Sequence, residues 1–286
     1  MLRLNGKKVS AVRKAQLKTK VEEFRNRTNH IPGLAVILVG DDPASQVYVD
    51  GKIKGCSEVG INSFEHRLSA NTTPTQLKSL VEKLNGDVAV DGILIQLPLP
   101  KGLDSDKVLS WISPDKDVDG LTPSSMGYLW MGKPRAISCT PAGVMAILDH
   151  YSISVEGLKA VVIGRSNIVG KPMAHLLTQA NATVTVCHSK TKDLSSYTRD
   201  ADIIVVAAGR PQMLGKEDFK KDSIIIDVGI HRQRVKGGKD KLCGDVRFKE
   251  LEGWVKAATP VPGGVGPMTI SMLLENTLHL AECNHI

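Results

Sequence analysis

The chain has 286 residues, 42% hydrophobic and 23% charged, with a net charge of +7. That balance belongs to an ordinary globular protein, and the length favours two modest domains over one. No apolar run approaches the roughly 18 residues that span a bilayer, and the N-terminal MLRLNGKKVSAVRKAQLKTK lacks the apolar core of a secretory signal, so a cytoplasmic location is expected.

In chain order, strand-like and helix-like segments alternate. Residues 7–28 read as an amphipathic helix, followed by an apolar strand (34–39), a helix (44–59), a short strand near 62–67, and a helix (73–84). The strand 92–97 ends against Pro98 and Pro100. This is the βαβ grammar of a parallel sheet. Residues 100–140 are rich in Pro, Gly, Asp and Ser and contain the candidate domain boundary. Thr140-Pro141 reads as an N-cap with proline at the first helical position, opening a helix to about His150. A second βαβ series has strands at 160–163, 183–187, 203–207 and 224–228, with a helix at 170–179. HRQRVKGGKDKL (231–242) reads as an exposed loop. TPVPGGVGP (259–267) can be neither helix nor central strand, and a last helix covers about 268–282. The fold class is α/β, doubly wound twice.

Charge and cysteines narrow the function classes. The positive charge suits solubility and the attraction of anionic small molecules alike. Its lysines and arginines form no basic stripe interleaved with aromatics, which argues against nucleic acid. Five cysteines (Cys56, Cys139, Cys187, Cys243, Cys283) lie far apart with no CxxC pair, and no histidine pair has helical ligand spacing. They read as reduced thiols, and no metal is expected.

KAVVIGRSNIVGKPMAHLL (159–177) is a strand, a turn and a helix. Gly164 and Gly170 stand where the first and third glycines of a dinucleotide loop would stand, with a longer spacing. Gly164 permits a tight turn and Gly170 close helix–strand packing. The helix N-terminus offers free N–H groups to a phosphate, and Ser166 adds a hydroxyl. A plain β–α turn is the alternative. The next strand ends in His188-Ser189-Lys190-Thr191, without the acid that binds an NAD ribose. Ser189 and Arg165 are suited to a 2′-phosphate instead, so NADP is favoured over NAD.

Three segments place polar groups where the first sheet ends. SQVYVDGK (45–52) puts Tyr48 and Lys52 on one helical face. DGILIQLPLP (91–100) delivers Gln96 at the carboxyl end of a strand, where α/β sheets bind ligands. PDKDVDG (114–120) is an acidic turn holding Asp117 and Asp119. Taken singly, each also reads as a solvated helix edge, a strand-end cap and a surface turn.

Together with GRSNIVG and PVPGGVGPMT (260–269), these strings resemble the bifunctional methylenetetrahydrofolate dehydrogenase/cyclohydrolase family along essentially the whole chain. The resemblance implies NADP-dependent oxidation of 5,10-methylenetetrahydrofolate and hydrolysis of the methenyl product to 10-formyltetrahydrofolate. It implies a folate-binding catalytic domain over 1–138 with the C-terminal helix (about 268–286). A Rossmann-like NADP-binding domain would cover 139–267, with a cleft between the two and a homodimer as the assembly. Lys52 corresponds to the family's catalytic lysine, with Gln96 bonded to it, Tyr48 against the folate ring system and Asp119 at the pterin's amino edge. Leu97 and the backbone of Pro262, Gly263, Gly264, Val265 and Gly266 would line the substrate site. Thr140, Gly164, Arg165, Ser166, Ile168, Ser189, Ile230 and Thr269 would hold the cofactor. The 231–242 and 124–136 stretches look idiosyncratic. A monofunctional dehydrogenase and a non-catalytic NADP-binding regulator remain as alternatives. The absence of a GxxxxGK[ST] loop and the short length argue against an ATP-driven synthetase.

Overall fold

The computed structural model describes residues 1–233 and 241–285. The chain packs as two compact units, Met1–Ala11 with Thr140–Thr269, and Val12–Cys139 with Ile270–Ile286. It opens with a two-residue strand β1 (Leu2–Arg3) and a long helix α1 (Gly6–Thr28).

In the unit built on residues 12–139, β2 (Gly33–Val39), α2 (Pro43–Val59), β3 (Asn62–Leu68), α3 (Pro74–Gly86) and β4 (Gly92–Ile95) follow in turn. The strands pair in parallel in the order β3-β2-β4. The middle strand, GLAVILV, is buried at every position, as a strand covered on both faces must be. Local chemistry sets the helices. Asp42 accepts a hydrogen bond from the Ser45 N–H, Pro43 occupies the first turn, and Gly60 at φ 85° closes α2. Thr73 and Gln76 form a reciprocal capping box for α3, whose Leu77, Val81 and Leu84 pack with Ala35, Ile37 and Ile93 in one core.

The stretch 100–140 is less irregular than its composition suggests. It contains α4 (Ser105–Leu109), capped by Asp104, and α5 (Pro123–Trp130), capped by Thr122. Helix α6 (Cys139–His150) starts one residue before Thr140, so Thr140 and Pro141 lie inside its first turn, where proline lacks only an N–H that is unpaired anyway.

The second unit contains β5 (Lys159–Ile163), α7 (Gly170–Gln179), β6 (Thr183–Cys187), α8 (Leu194–Thr198), β7 (Ile203–Val206), β8 (Ile224–Asp227), β9 (His231–Gln233), β10 (Lys241–Cys243) and β11 (Ala257–Ala258). The final helix is α9 (Gly266–His285). Among the described residues, six strands form one sheet in the order β1-β11-β8-β7-β5-β6, all paired in parallel. The start of the chain, expected with the catalytic domain, belongs here. Leu2 and Arg3 pair with Ala257 and Ala258, a pairing of two short segments with no periodicity to betray it. The 231–242 stretch is likewise not all loop. Its ends are the arms of an antiparallel pair, His231 opposite Cys243, and residues 234–240 lie outside the described residues. Among the described residues, no helix is long and apolar enough to cross a membrane.

Candidate active site

Lys52 projects from α2 and Gln96 follows directly on β4. The Gln96 N–H donates to Ile37 O at 2.8 Å, which carries the β2–β4 ladder one residue further. The Lys52 ammonium donates to Gln96 Oε1 at 2.8 Å, and Gln96 Nε2 donates to the Leu97 carbonyl. The amide is thereby oriented with its oxygen toward the lysine. Lys52 is half-buried. Burial pushes its pKa down from 10.5, opposed by the charge of Asp119 and, more weakly, by Cys139. Tyr48, one turn earlier on α2, is 46% exposed.

Asp117 and Asp119 of the 114–120 turn divide the work. The segment entering that turn runs beside β4, with the Ile93 N–H donating to Lys116 O at 2.7 Å. Asp117 is buried and accepts hydrogen bonds from the Thr122 N–H at 2.7 Å and the Leu121 N–H at 3.2 Å. It closes the turn. Asp119 instead faces Lys52 and Cys139. Burial pushes its carboxyl up from 3.8, opposed by the Lys52 charge and by a hydrogen bond with the Cys139 thiol. Burial first, and Asp119 second, hold that thiol well above its usual range, so it remains S–H.

Cys139 and Asn276 were not singled out from the sequence. Asn276 Nδ2, on α9, donates to Val118 O at 2.9 Å and Ile137 O at 2.8 Å, and lies 3.8 Å from Cys139 Sγ. It thus fastens the backbone beside Asp119 to that beside Cys139. The signal was a thiol immediately before Thr140-Pro141, which composition alone reads as inert.

In the other unit the backbone builds the site. Ile163 of β5 pairs with Cys187 of β6, and the Gly164 N–H donates to Cys187 O at 2.9 Å. Arg165 and Ser189 therefore leave neighbouring strands two residues beyond that paired level, and both are exposed. Gly164 has φ 130°, and a Cβ there would collide with Ala207 O; a Cβ on Gly170 would collide with Gly164 O. Both glycines are required by backbone approach. Ser166 Oγ accepts the Val169 and Gly170 N–H groups at 3.2 and 3.4 Å, so it caps the start of α7 while its O–H remains a donor. β5 lies between β6 and β7, the point where the strand order reverses and open α/β sheets bind ligands.

Of the remaining expected cofactor residues, Ile168 and Ile230 are 45% and 41% exposed. Thr269 Oγ1 donates to Gly266 O at 2.7 Å. The Pro262–Gly266 segment is a turn leading into α9. Its Pro262 follows a cis peptide bond, Gly263 O accepts the Lys7 N–H at 3.1 Å, and Val265 and Gly264 are buried. The glycine-lined turn from β5 through Gly164 and Gly170 into α7 fits a dinucleotide diphosphate.

Comparison with known proteins places both halves. Tetrahydrofolate dehydrogenase/cyclohydrolase, catalytic domain, matches residues 4–119, and its NAD(P)-binding domain matches residues 138–285. The chain is 59% identical to a bifunctional FolD protein of Bdellovibrio bacteriovorus over 99% of this chain and 97% of that one. It is similar to the crystal structure of the bifunctional FolD enzyme of Campylobacter jejuni, at 50% identity, TM-score 0.93 and 99% coverage of both chains. It is also similar to the Trypanosoma brucei methylenetetrahydrofolate dehydrogenase-cyclohydrolase complexed with NADP cofactor and inhibitor, at 37% identity and TM-score 0.95, over 99% of this chain and 98% of that one. The chain belongs to the tetrahydrofolate dehydrogenase/cyclohydrolase family.

Proposed function

We propose that the chain is a bifunctional one-carbon folate enzyme. It oxidises 5,10-methylenetetrahydrofolate to the 5,10-methenyl cation with NADP⁺ and hydrolyses that cation to 10-formyltetrahydrofolate. The observation that carries the reading is the Lys52–Gln96 hydrogen bond at 2.8 Å, made by a lysine whose charge is disfavoured by burial. Oxidation alone has little use for such a pair. The carbon that loses hydride lies between two nitrogens whose lone pairs stabilise the cation, so that step needs positioning more than a base.

Hydrolysis needs a proton moved, and a neutral lysine can accept it. Water loses one proton to Lys52 Nζ as its oxygen bonds the methenyl carbon. Breakage of the carbon–N5 bond then returns a proton from Lys52 to N5, and the second water proton leaves to solvent. Gln96 holds the lysine by one N–H, leaving its lone pair free to face the water. Tyr48 packs against the folate rings, Asp119 receives the pterin's amino edge, and Leu97 and the Pro262–Gly266 backbone contact the substrate.

NADP, when bound, supplies the nicotinamide that accepts the hydride. The Gly164–Gly170 turn and the start of α7 hold its diphosphate. Arg165 and Ser189 hold the 2′-phosphate, and Thr140, Ser166, Ile168, Ile230 and Thr269 complete its contacts. A homodimer, checked by light scattering at twice the chain mass, and a cytoplasmic location complete the reading.

The test is to incubate the protein with methylenetetrahydrofolate and either NADP⁺ or NAD⁺, following methenyl absorbance and 10-formyl product together. Both products should form, faster with NADP⁺. Methenyl product alone would mean a monofunctional dehydrogenase, and no turnover a binding protein.

A further inference from the structure

We propose that His30, Asp91 and His285 form a site for one divalent transition-metal ion of the Zn²⁺ class. The three residues come from distant parts of one unit. His30 lies between α1 and β2, Asp91 immediately precedes β4, and His285 ends α9. His30 Nε2 lies 2.9 Å from Asp91 Oδ2, and His285 Nε2 lies 2.9 Å from Asp91 Oδ1. The two imidazole rings stack with centroids 3.9 Å apart and planes 27° from parallel. All three ligand atoms fall within 4.8 Å of one another.

The chemistry of the set is selective. Two imidazole nitrogens and one carboxylate are the ligands of catalytic and surface zinc sites, at about 2.0–2.2 Å from the ion. Tetrahedral ligands at that radius stand about 3.3 Å apart, between the two 2.9 Å nitrogen–oxygen distances and the 4.8 Å span of the set. Without an ion, both rings must present a proton to the same carboxylate. One divalent ion takes the place of the proton at each Nε2, each neutral ring then carrying its proton on Nδ1, and satisfies the carboxylate at once.

Asp91 is 1% exposed and already oriented, because the Gly33 N–H donates to Oδ2 at 2.8 Å. This leaves Oδ1 less engaged. The neighbouring cation, Lys116, is held on the Leu84 and Asp87 carbonyls at 3.1 and 2.6 Å and does not occupy the carboxylate. A cavity of about 290 Å³, lined in part by Asp91, Lys116, Asn284 and His285, leaves room for water as the remaining ligand. The structural consequence is a clasp between the end of α9 and the entrance to β4.

The test is calorimetric titration of the chelator-treated full-length protein with Zn²⁺, with thermal unfolding in parallel. One equivalent should bind and raise the melting temperature. His285→Gln and His30→Gln should each weaken binding at least about tenfold, a loss that even outer-shell partners can produce. A nearby pair, His279 and Cys283 (Sγ to Nε2 3.7 Å), is the internal control, so Cys283→Ser should leave the affinity unchanged. His285 terminates a helix, so His285→Gln decides the matter if His30→Gln does not fold. No Zn²⁺ binding, binding that survives His285→Gln, or binding lost with Cys283→Ser would each overturn the proposal.

Discussion

The two units solve the problem of building a site in opposite ways. Around Lys52 the arrangement is made by side chains on different elements: a lysine from α2, a glutamine after β4, an aspartate from a turn and a thiol at the start of α6. Around Gly164 it is made by backbone. Two glycines let β5, α7 and the start of the loop after β7 approach closely, and the Ser166 side chain caps backbone N–H groups. The difference teaches that charge chemistry and cofactor cradling fail differently. A side-chain site is lost one function at a time, whereas a backbone cradle is lost with its geometry.

The largest effect should come from the side-chain site. Lys52→Met should slow hydrolysis of supplied methenyltetrahydrofolate about 10²–10⁴-fold, the range of a general base. Hydride transfer measured by NADPH formation should fall far less. Wild-type hydrolysis should also rise with pH along a limb lying below the 10.5 of a free lysine, because burial favours the neutral amine.

Asp227 sharpens the contrast, because in the nucleotide unit even a buried carboxylate serves backbone. It accepts hydrogen bonds from the Gly229, Asp245 and Val246 N–H groups. Burial nevertheless raises its pKa from 3.8 to about 6. The folded chain thus holds this proton more tightly than the unfolded chain. Its stabilising contribution is complete below about pH 4 and is lost as pH rises through about 6, a change of about 3 kcal/mol. Unfolding free energies of wild type minus Asp227→Asn, measured from pH 4 to 7, should fall by that order. A flat difference would mean that Asp227 titrates normally.

Gly164→Ala should cost about 1–3 kcal/mol through its left-handed φ, with further cost from the collision with Ala207 O. Loss of dinucleotide binding should accompany it in a fluorescence titration. The smallest effect is expected of Arg165→Ala. It should weaken NADP⁺ binding about 10–100-fold, the worth of one charge-assisted contact, and leave NAD⁺ binding nearly unchanged. Equal loss for both would remove the 2′-phosphate from the account of Arg165.

How much of this was legible follows from the same contrast. The strand–helix alternation was readable because apolar runs and capping residues are local; β6 and α7 begin and end where periodicity places them. The Gly164 turn was readable because glycine spacing reports backbone geometry. Strands β1 and β11 were not, since two residues carry no period. Asp117 and Asp119 look alike in sequence, and the Leu121 and Thr122 N–H bonds to Asp117 separate the turn's closure from the group facing Lys52. Helix α5 carried a readable signal in Thr122-Pro123, an N-cap followed by proline, masked by the Gly- and Pro-rich composition around it. Asn276 is unreadable in principle, because its partners Val118 and Ile137 lie some 140–160 positions away along the chain.

The most direct test crosses the two sites. Hydrolysis of methenyltetrahydrofolate, which requires no dinucleotide, and NADP⁺-dependent oxidation of methylenetetrahydrofolate would both be measured on Lys52→Met and Gly164→Ala. Lys52→Met should lose hydrolysis and largely keep oxidation, while Gly164→Ala should lose oxidation and keep hydrolysis. If either substitution removed both activities equally in a folded protein, the division between a side-chain site and a backbone cradle would be wrong.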